Sequence, residues 1–144
     1  MRKFFILSVF ILAVSSSFEM AGAAASANES LPPFETSQTC RRYTKGNKTE
    51  LAKLICLIER FQNSEFQIVF DGNTYDANTA IGFGRNYIFR NYRNEQADRW
   101  IKIHATHAGG TGRVIYLKYP SGRRRPLEQV LAEELSQLTQ AGVN

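Results

Sequence analysis

Two histidines, His104 and His107, carry the side chains with the widest range of chemistry in this sequence. Their spacing of three places both imidazoles on one side of a helix, and imidazole is a common zinc ligand and general base. A zinc site needs further ligands, however, and no cysteine, histidine or carboxylate pair follows at a suitable spacing. His104 also falls beside Trp100 on an apolar stripe, as a hydrogen-bonded core histidine does. The sequence therefore predicts no metal site.

Hydroxyl and carboxylate side chains do not form a recognisable catalytic set. Ser121 or Thr106 could be combined with a histidine, but no Gly-x-Ser-x-Gly elbow is present to expose a nucleophile. The neighbouring Glu133 and Glu134 are typical of a solvated helix face, because acid and base carboxylates need unlike environments across a cleft. We therefore predict no catalytic residues and favour a non-enzymatic function. The alternative is a small hydrolase acting on a cell-envelope polymer, with His107 as its base.

Two short motifs match ligand-binding loops only in part. Gly82-x-Gly84 lacks the third glycine of a dinucleotide-binding loop, so we interpret it as a place where a neighbouring element approaches a helix closely. The segment from Asp71 to Asp76 begins like a calcium loop, but its sixth position is not glycine and its twelfth is not glutamate. We interpret it as a turn followed by a helix cap at Asp76. No cofactor is predicted.

Basic residues interleaved with tyrosines are the strongest remaining feature. Guanidinium groups bind phosphates and carboxylates bidentately, so a cluster of them predicts an anionic partner. The candidate binding residues are Arg85, Arg113, Lys118, Arg123, Arg124 and Arg125. Nucleic acid would fit this pattern, but an export signal argues against it. We expect an anionic polymer of the cell envelope or another envelope protein as partner, and the alternative is a basic face that only aids solubility.

The export signal is the N-terminal segment, which has the three parts of a secretory signal peptide. Two basic residues follow Met1, an apolar run extends from Phe4 to Val14, and Ala25-Ser26-Ala27 matches the rule for cleavage, with Ala21-Gly22-Ala23 as an alternative. The apolar run is shorter than the roughly 20 residues of a membrane span. We therefore expect cleavage after position 27, no stable membrane anchor, and a mature protein in the periplasm or outside a Gram-negative cell. The alternative is a short anchor left uncleaved.

The rest of the 144-residue chain suits one domain, since single cores commonly occupy about 100 to 150 residues. Residues 28–48 contain two prolines, glycine and many small polar residues with little apolar periodicity, so we expect an extended leader. The single domain is then expected over residues 49–140.

Both cysteines, Cys40 and Cys56, lie in the part predicted to be exported, where disulfides form and persist. On the predicted first helix Cys56 faces away from the apolar side, at the surface, where it could reach the preceding segment. A disulfide between the two would close a loop of about 15 residues and stabilise the fold by about 3 kcal/mol. We predict this disulfide, and two unpaired thiols are the alternative.

Apolar periodicity predicts six elements in the domain. Helices are expected from Thr49, from Asp76, from about Asn94 and from Pro126, and strands at 66–70 and 113–119. Two strands alone cannot close a core, so helices must cover them. The predicted fold is a compact, mostly helical α+β domain with a two-stranded sheet, in the order helix-strand-helix-helix-strand-helix.

The order of these elements, together with scattered identities, resembles the small exported proteins of Gram-negative bacteria typified by YfeK. The matching residues are Glu50, Leu54, Ile55, Ile58, Ser64, Phe70, Asp71, Gly72, Tyr75, Ala77, Ala80, Arg85, Ala97, Trp100, Ile101, Ala105, Thr106, Thr111, Gly112, Lys118 and a helix over 131–138. The chain departs from the family at Phe83, where the family tends to have a histidine. The resemblance implies export and a common fold, and it implies no activity.

Overall fold

Pairs of helices alternate with pairs of antiparallel strands, and a last helix follows them, in the computed structural model, which describes residues 29–46 and 48–142. The predicted signal peptide lies outside these residues. After a 3-10 turn at Phe34–Thr36, the helices are α1 Gln38–Lys45, α2 Glu50–Glu59, α3 Ala77–Asn91, α4 Ala97–His104 and α5 Leu127–Ala141. The strands are β1 Gln67–Phe70, β2 Asn73–Asp76, β3 Tyr116–Lys118 and β4 Arg124–Pro126.

The strands form one antiparallel sheet in the order β2-β1-β3-β4. The prediction of a two-stranded sheet is therefore wrong, as is the predicted order of elements. The missed strands are the two edges, β2 and β4. The first is polar and mostly exposed, and the second begins with two arginines and ends at Pro126, so neither shows the apolar alternation of a half-buried strand. Backbone pairing with β1 and β3 defines them instead.

A tight turn allows β2 to pair with β1. Asp71 and Gly72 both adopt positive φ, 52° and 83°, which is the backbone conformation of the turns that join antiparallel strands. The predicted turn and the predicted cap at Asp76 are both observed, but the sequence interpretation missed β2, which lies between them. Asp76 caps α3 by accepting a hydrogen bond from the backbone N–H of Thr79 at 3.0 Å.

Helix α2 is the centre of the helical layer and packs against each of the other four helices. Leu54 and Leu57 are almost fully buried against the main core, and α3 and α5 lie over the sheet. The inner face of the sheet contributes Phe66, Ile68 and Leu117 to that core, because alternate residues of a strand point to one side.

Residues 29–45 differ from the extended leader that the sequence predicted. Ser37 caps α1 by accepting a hydrogen bond from the backbone N–H of Cys40, and Phe34, Cys40 and Tyr43 are buried against the rest of the chain. The sequence does not reveal this helix because six of its eight residues are polar and exposed or partly exposed, and only Cys40 and Tyr43 are buried. Within the described ranges, no helix is both long and apolar enough to cross a membrane.

Candidate functional site

An open apolar groove of about 410 Å³ lies between the inner face of the sheet and the helices. Helix α3 forms one wall, and the other is formed by the end of α4, the loop that follows it and the start of β3. These walls are separate because α3 packs on β1, β2 and α2, whereas α4 packs on α2 and α5. The sheet and α5 provide the floor, so the groove is part of the fold.

Small residues on one face of α3 leave the space open. Ala77, Ala80 and Gly84 follow one another at intervals of three and four and all line the groove. A Cβ atom at Gly84 would meet only Ile58 Cδ1, at 3.8 Å, apart from its own helix and neighbours. At Gly82, on the solvent side, nothing lies within 4 Å of such an atom. The two glycines therefore do not mark the close approach of a neighbouring element that the sequence suggested.

Aromatic side chains form the lip of the groove. Phe83 is 59% exposed, Tyr87 is 45% exposed and Phe70 is 41% exposed, although all three are large and apolar. Phe83 also packs edge-on against Tyr75, with ring centroids 5.6 Å apart. A continuous exposed apolar surface of this kind is typical of a binding site.

Three polar side chains, Tyr87, His104 and Glu95, lie in a row at the lip of the groove. The hydroxyl of Tyr87 lies 3.0 Å from Nδ1 of His104, and Nε2 of His104 lies 4.0 Å from a carboxylate oxygen of Glu95. The indole of Trp100 lies beside the imidazole, with ring centroids 4.9 Å apart. Tyr87 lies on α3, His104 ends α4 and Glu95 lies in the connection between them, so three separate segments position these side chains.

The carboxylate of Glu95 is held in its charged form. A hydrogen bond from its own backbone N–H lowers its pKa, and the backbone N–H of Arg93, 2.6 Å from the carboxylate, lowers it further. The positive charge of Arg93 acts in the same direction, against partial burial, which raises the pKa of Glu95. Glu95 therefore presents a fixed negative charge to the imidazole.

Trp100 contributes a second polar group. Its side chain lines the groove and is 5% exposed, and its indole Nε1 is buried without a hydrogen-bond partner among the described residues. An indole N–H can only donate, so the group has no way to be satisfied except by an acceptor.

His107 and His104 do not act as a pair. His107 lies beyond the end of α4, where its backbone pairs with Val114 in an isolated bridge, and its side chain is exposed at the groove. His104 is engaged with Tyr87 instead. Over residues 29–46 and 48–142, no group of three histidine, cysteine or acidic side chains is placed to hold a metal ion. No hydroxyl or carboxylate in that part of the chain is hydrogen-bonded to His107, which is the contact that the hydrolase hypothesis needs.

The other candidate catalytic side chains have structural partners. Glu133 accepts hydrogen bonds from the guanidinium of Arg125, and Glu134 pairs with the buried Arg60. Ser121 donates a hydrogen bond to Glu29. The sequence interpretation of Glu133 and Glu134 as a purely solvated face missed that both are paired with arginines from other elements.

The six basic residues do not form one surface. Three of them are in ion pairs: Arg85 with Glu59, Arg123 with Glu29 and Arg125 with Glu133. The guanidinium of Arg113 lies at the β1–β2 turn, where its Nη1 is 2.9 Å from the position of a Cβ on Gly72.

Lys118 and Arg124 do come together. They are directly opposite each other in the ladder between β3 and β4, on the same face of the sheet, and neither takes part in an ion pair with another described residue. Because the register places Leu117 and Arg125 on the inner face, Lys118 and Arg124 lie on the outer one.

The sulfur atoms of Cys40 and Cys56 lie 1.98 Å apart, at disulfide distance, as the sequence predicted. Cys56 is fully buried, however, and not at the surface. The reason is that α1 covers the side of α2 opposite the main core, so both sides of α2 are shielded.

Sequence reasoning missed the groove because its walls come from distant segments. The available signal was the row of small residues on α3, together with large apolar residues such as Phe83 at positions that the helical pattern predicts to be exposed.

A scan against protein-family models, a search of curated proteins and a search of solved structures each give no match to this chain.

Proposed function

We propose that this chain is a non-enzymatic binding protein that holds the apolar part of a small ligand in the groove between α3 and the α4–β3 segment. The observation that carries the proposal is an open groove of about 410 Å³ with a mostly apolar lining. Ligand sites in proteins commonly have volumes of about 300 to 1,000 Å³ and this kind of lining.

The exposed lip supports the same function. Phe70, Phe83 and Tyr87 present apolar surface to water, and covering such surface releases about 25 cal/mol per Å². A protein does not gain stability from leaving these side chains exposed. A ligand that inserts between them and the floor of the groove would gain from both surfaces.

The proposed site of action is the periplasm or the outside of a Gram-negative cell. The N-terminal pattern of an apolar run and small residues supports export, and the Cys40–Cys56 pair suits an oxidising compartment. The resemblance to the small exported proteins typified by YfeK supports the same location. Apolar and amphiphilic molecules of the envelope are the ligands that such a protein would meet.

Binding of N-phenyl-1-naphthylamine, an uncharged dye whose fluorescence rises in apolar surroundings, tests the proposal. The decisive variant is Gly84→Leu, which places a side chain in the groove, and the matched control is Gly82→Leu on the solvent side of the same helix. We expect wild type and the control to bind the dye and Gly84→Leu to bind it roughly tenfold more weakly. Equal binding by both variants would overturn the proposal.

Folding has to be checked for both variants. Each replaces a helical glycine by a better helix former, which favours α3 by up to about 1 kcal/mol in each case. Circular dichroism and the unfolding midpoint show whether Gly84→Leu keeps the fold, and Ala80→Leu provides a second way to fill the groove if it does not.

A second candidate function is the binding of an anionic envelope polymer or partner protein to the outer face of the sheet. The observation that favours it is the pairing of Lys118 with Arg124 across two strands. Like charges directly opposite each other destabilise a sheet, and an anion bound to both would relieve that repulsion. Arg85, Arg123 and Arg125 are less suited, because acidic partners already neutralise them.

A further inference from the structure

We infer that the ligand of the groove presents a hydrogen-bond donor, and no negative charge, to the hydroxyl oxygen of Tyr87. This inference rests on the proposed function, because it concerns the polar end of a ligand whose apolar part lies in the groove. The chemical class is an apolar alcohol or amine, as opposed to a carboxylate or an ether.

Either ring nitrogen of His104 could carry the single proton of the neutral imidazole. A neutral imidazole carries one proton, and the hydrogen-bonding environment decides which nitrogen holds it. The charged carboxylate of Glu95 lies 4.0 Å from Nε2, and its negative charge favours the proton at that nitrogen. In the part of the chain that the structure describes, Glu95 is the acidic side chain within ion-pair distance of the ring, and the hydrogen bond of the ring is to Tyr87.

The position of the proton on His104 determines whether the hydroxyl of Tyr87 donates or accepts. With the proton on Nε2, Nδ1 of His104 is an acceptor, so the hydroxyl of Tyr87, 3.0 Å away, must donate its only proton to it. The oxygen of Tyr87 then has only lone pairs left for another partner. A ligand group at this oxygen therefore has to be a donor.

The negative charge of Glu95 also acts on the ligand group at Tyr87. The carboxylate of Glu95 is ionised and partly shielded from water, so a second negative charge beside it is disfavoured. A carboxylate or phosphate group at Tyr87 would be repelled by Glu95 and would have no proton to donate. An ammonium group would be attracted by the same charge.

Four decyl compounds that differ only at the head separate these outcomes: decanol, decylamine, decanoate and methyl decyl ether. Displacement of N-phenyl-1-naphthylamine at pH 8 gives their relative affinities. We expect decanol and decylamine to bind roughly three- to tenfold more tightly than the ether, as one added hydrogen bond allows, and decanoate to bind most weakly. Equal affinities, or tightest binding of decanoate, would overturn the inference.

Tyr87→Phe removes the acceptor and keeps the ring. The alcohol and the amine should then bind no better than the ether, while the affinity for the ether stays the same. Tyr116→Phe, a similar change on the opposite face of the sheet, should leave all four affinities unchanged. A loss that is uniform across the four compounds would show that Tyr87 contributes only apolar contact, and would overturn the inference.

Glu95→Gln tests the positioning role of the carboxylate. An amide can both donate and accept, so it no longer fixes the proton of His104 on Nε2, and it removes the charge. The expected result is that the preference for decanol over decanoate falls to near unity, a ratio that a general loss of stability would not change. If the dye itself does not bind wild-type protein, the proposed function fails. If the dye binds but the four decyl compounds bind with equal affinity, only this inference fails.

Discussion

The guanidinium of Arg60, at the end of α2, is buried against the carboxylate of Glu134 on α5. The same guanidinium lies 3.7 Å from the centroid of the Phe34 ring and donates a hydrogen bond to the backbone oxygen of Pro32. Arg60 is 6% exposed, and burial lowers its pKa from the ordinary value, against the opposing influence of Glu35. One charged side chain therefore joins α2, α5 and the segment before α1.

The first prediction concerns that pair. Glu134→Leu leaves the charge of Arg60 buried without its partner, and we expect the free energy of unfolding to fall by about 3 to 5 kcal/mol. The double variant Arg60→Leu/Glu134→Leu should recover much of that loss, because no charge is then buried. Urea unfolding of the two variants measures both values.

An exposed ion pair provides the control for this comparison. Lys102 and Asp98 lie 3.9 Å apart, one turn apart on α4, and both are mostly exposed. Asp98→Ala should therefore change the free energy of unfolding by no more than about 0.5 kcal/mol. If Glu134→Leu were equally mild, the Arg60–Glu134 contact would have no part in holding α5.

The second prediction concerns the disulfide. Cys40 and Cys56 are 16 positions apart, and their bond ties α1 to α2. Reduction with dithiothreitol should lower the free energy of unfolding by about 3 kcal/mol, because the unfolded chain regains the freedom of an open loop. The measurement is urea unfolding with and without the reductant. Cys40→Ala/Cys56→Ala should be as unstable as the reduced protein and should not respond to dithiothreitol, and a reductant effect on that variant would contradict the explanation.

Much of the helical layer could be predicted from the sequence. The apolar periodicity of α2, α3, α4 and α5 is strong, and caps such as Thr49 and Asp76 mark where two of these helices begin. Burial on one side of a helix leaves a periodic apolar pattern in the sequence, and that pattern was sufficient to predict that these helices exist. The strand β1 was predictable for the same reason, since it is rich in β-branched and aromatic residues.

The edges of the sheet, the environment of Cys56 and the groove could not be predicted in this way. Edge strands need only backbone pairing, so Asn73 or Arg124 can belong to a strand without any apolar alternation. The burial of Cys56 depends on α1, a helix whose own sequence is mostly polar. The contact between Tyr87 and His104 joins two helices that do not pack closely, and no local pattern encodes such a contact.

The third prediction concerns pH and Glu50. Its carboxylate accepts a hydrogen bond from the backbone N–H of Ala97 at 2.9 Å, at the start of α4, and pairs with Lys53 at 2.6 Å. Partial burial raises the pKa of Glu50, but the hydrogen bonds from Lys53 and Ala97 outweigh it and hold the pKa below the ordinary value. Glu50 thus provides the cap that Gln96 does not supply with its side chain.

A lowered pKa in the folded state means that Glu50 stabilises the fold above the pKa of the unfolded chain, about 4.3, and that this stabilisation is lost as the pH falls through the folded-state pKa. At pH 7 we expect Glu50→Gln to be less stable than wild type by about 1 kcal/mol. The difference should shrink steadily below about pH 4.3. Thermal or urea unfolding across this range measures it, with the exposed Glu65→Gln as a control that should be about as stable as wild type at pH 7.

The fourth prediction concerns the outer face of the sheet. If Lys118 and Arg124 bind an anionic polymer, wild-type protein should be retained on immobilised lipopolysaccharide at low salt and released as salt screens the charges, over a Debye length of about 8 Å at physiological ionic strength. Lys118→Ala/Arg124→Ala should elute at clearly lower salt. The matched control is Arg41→Ala/Arg42→Ala, which removes the same charge from exposed positions of α1. Elution of the two double variants at the same salt concentration would show that net charge alone governs retention, and the paired residues would then have no specific role. Earlier elution of the sheet variant alone would assign binding to the outer face, because among the described strands two cations lie opposite each other at one register position there and nowhere else.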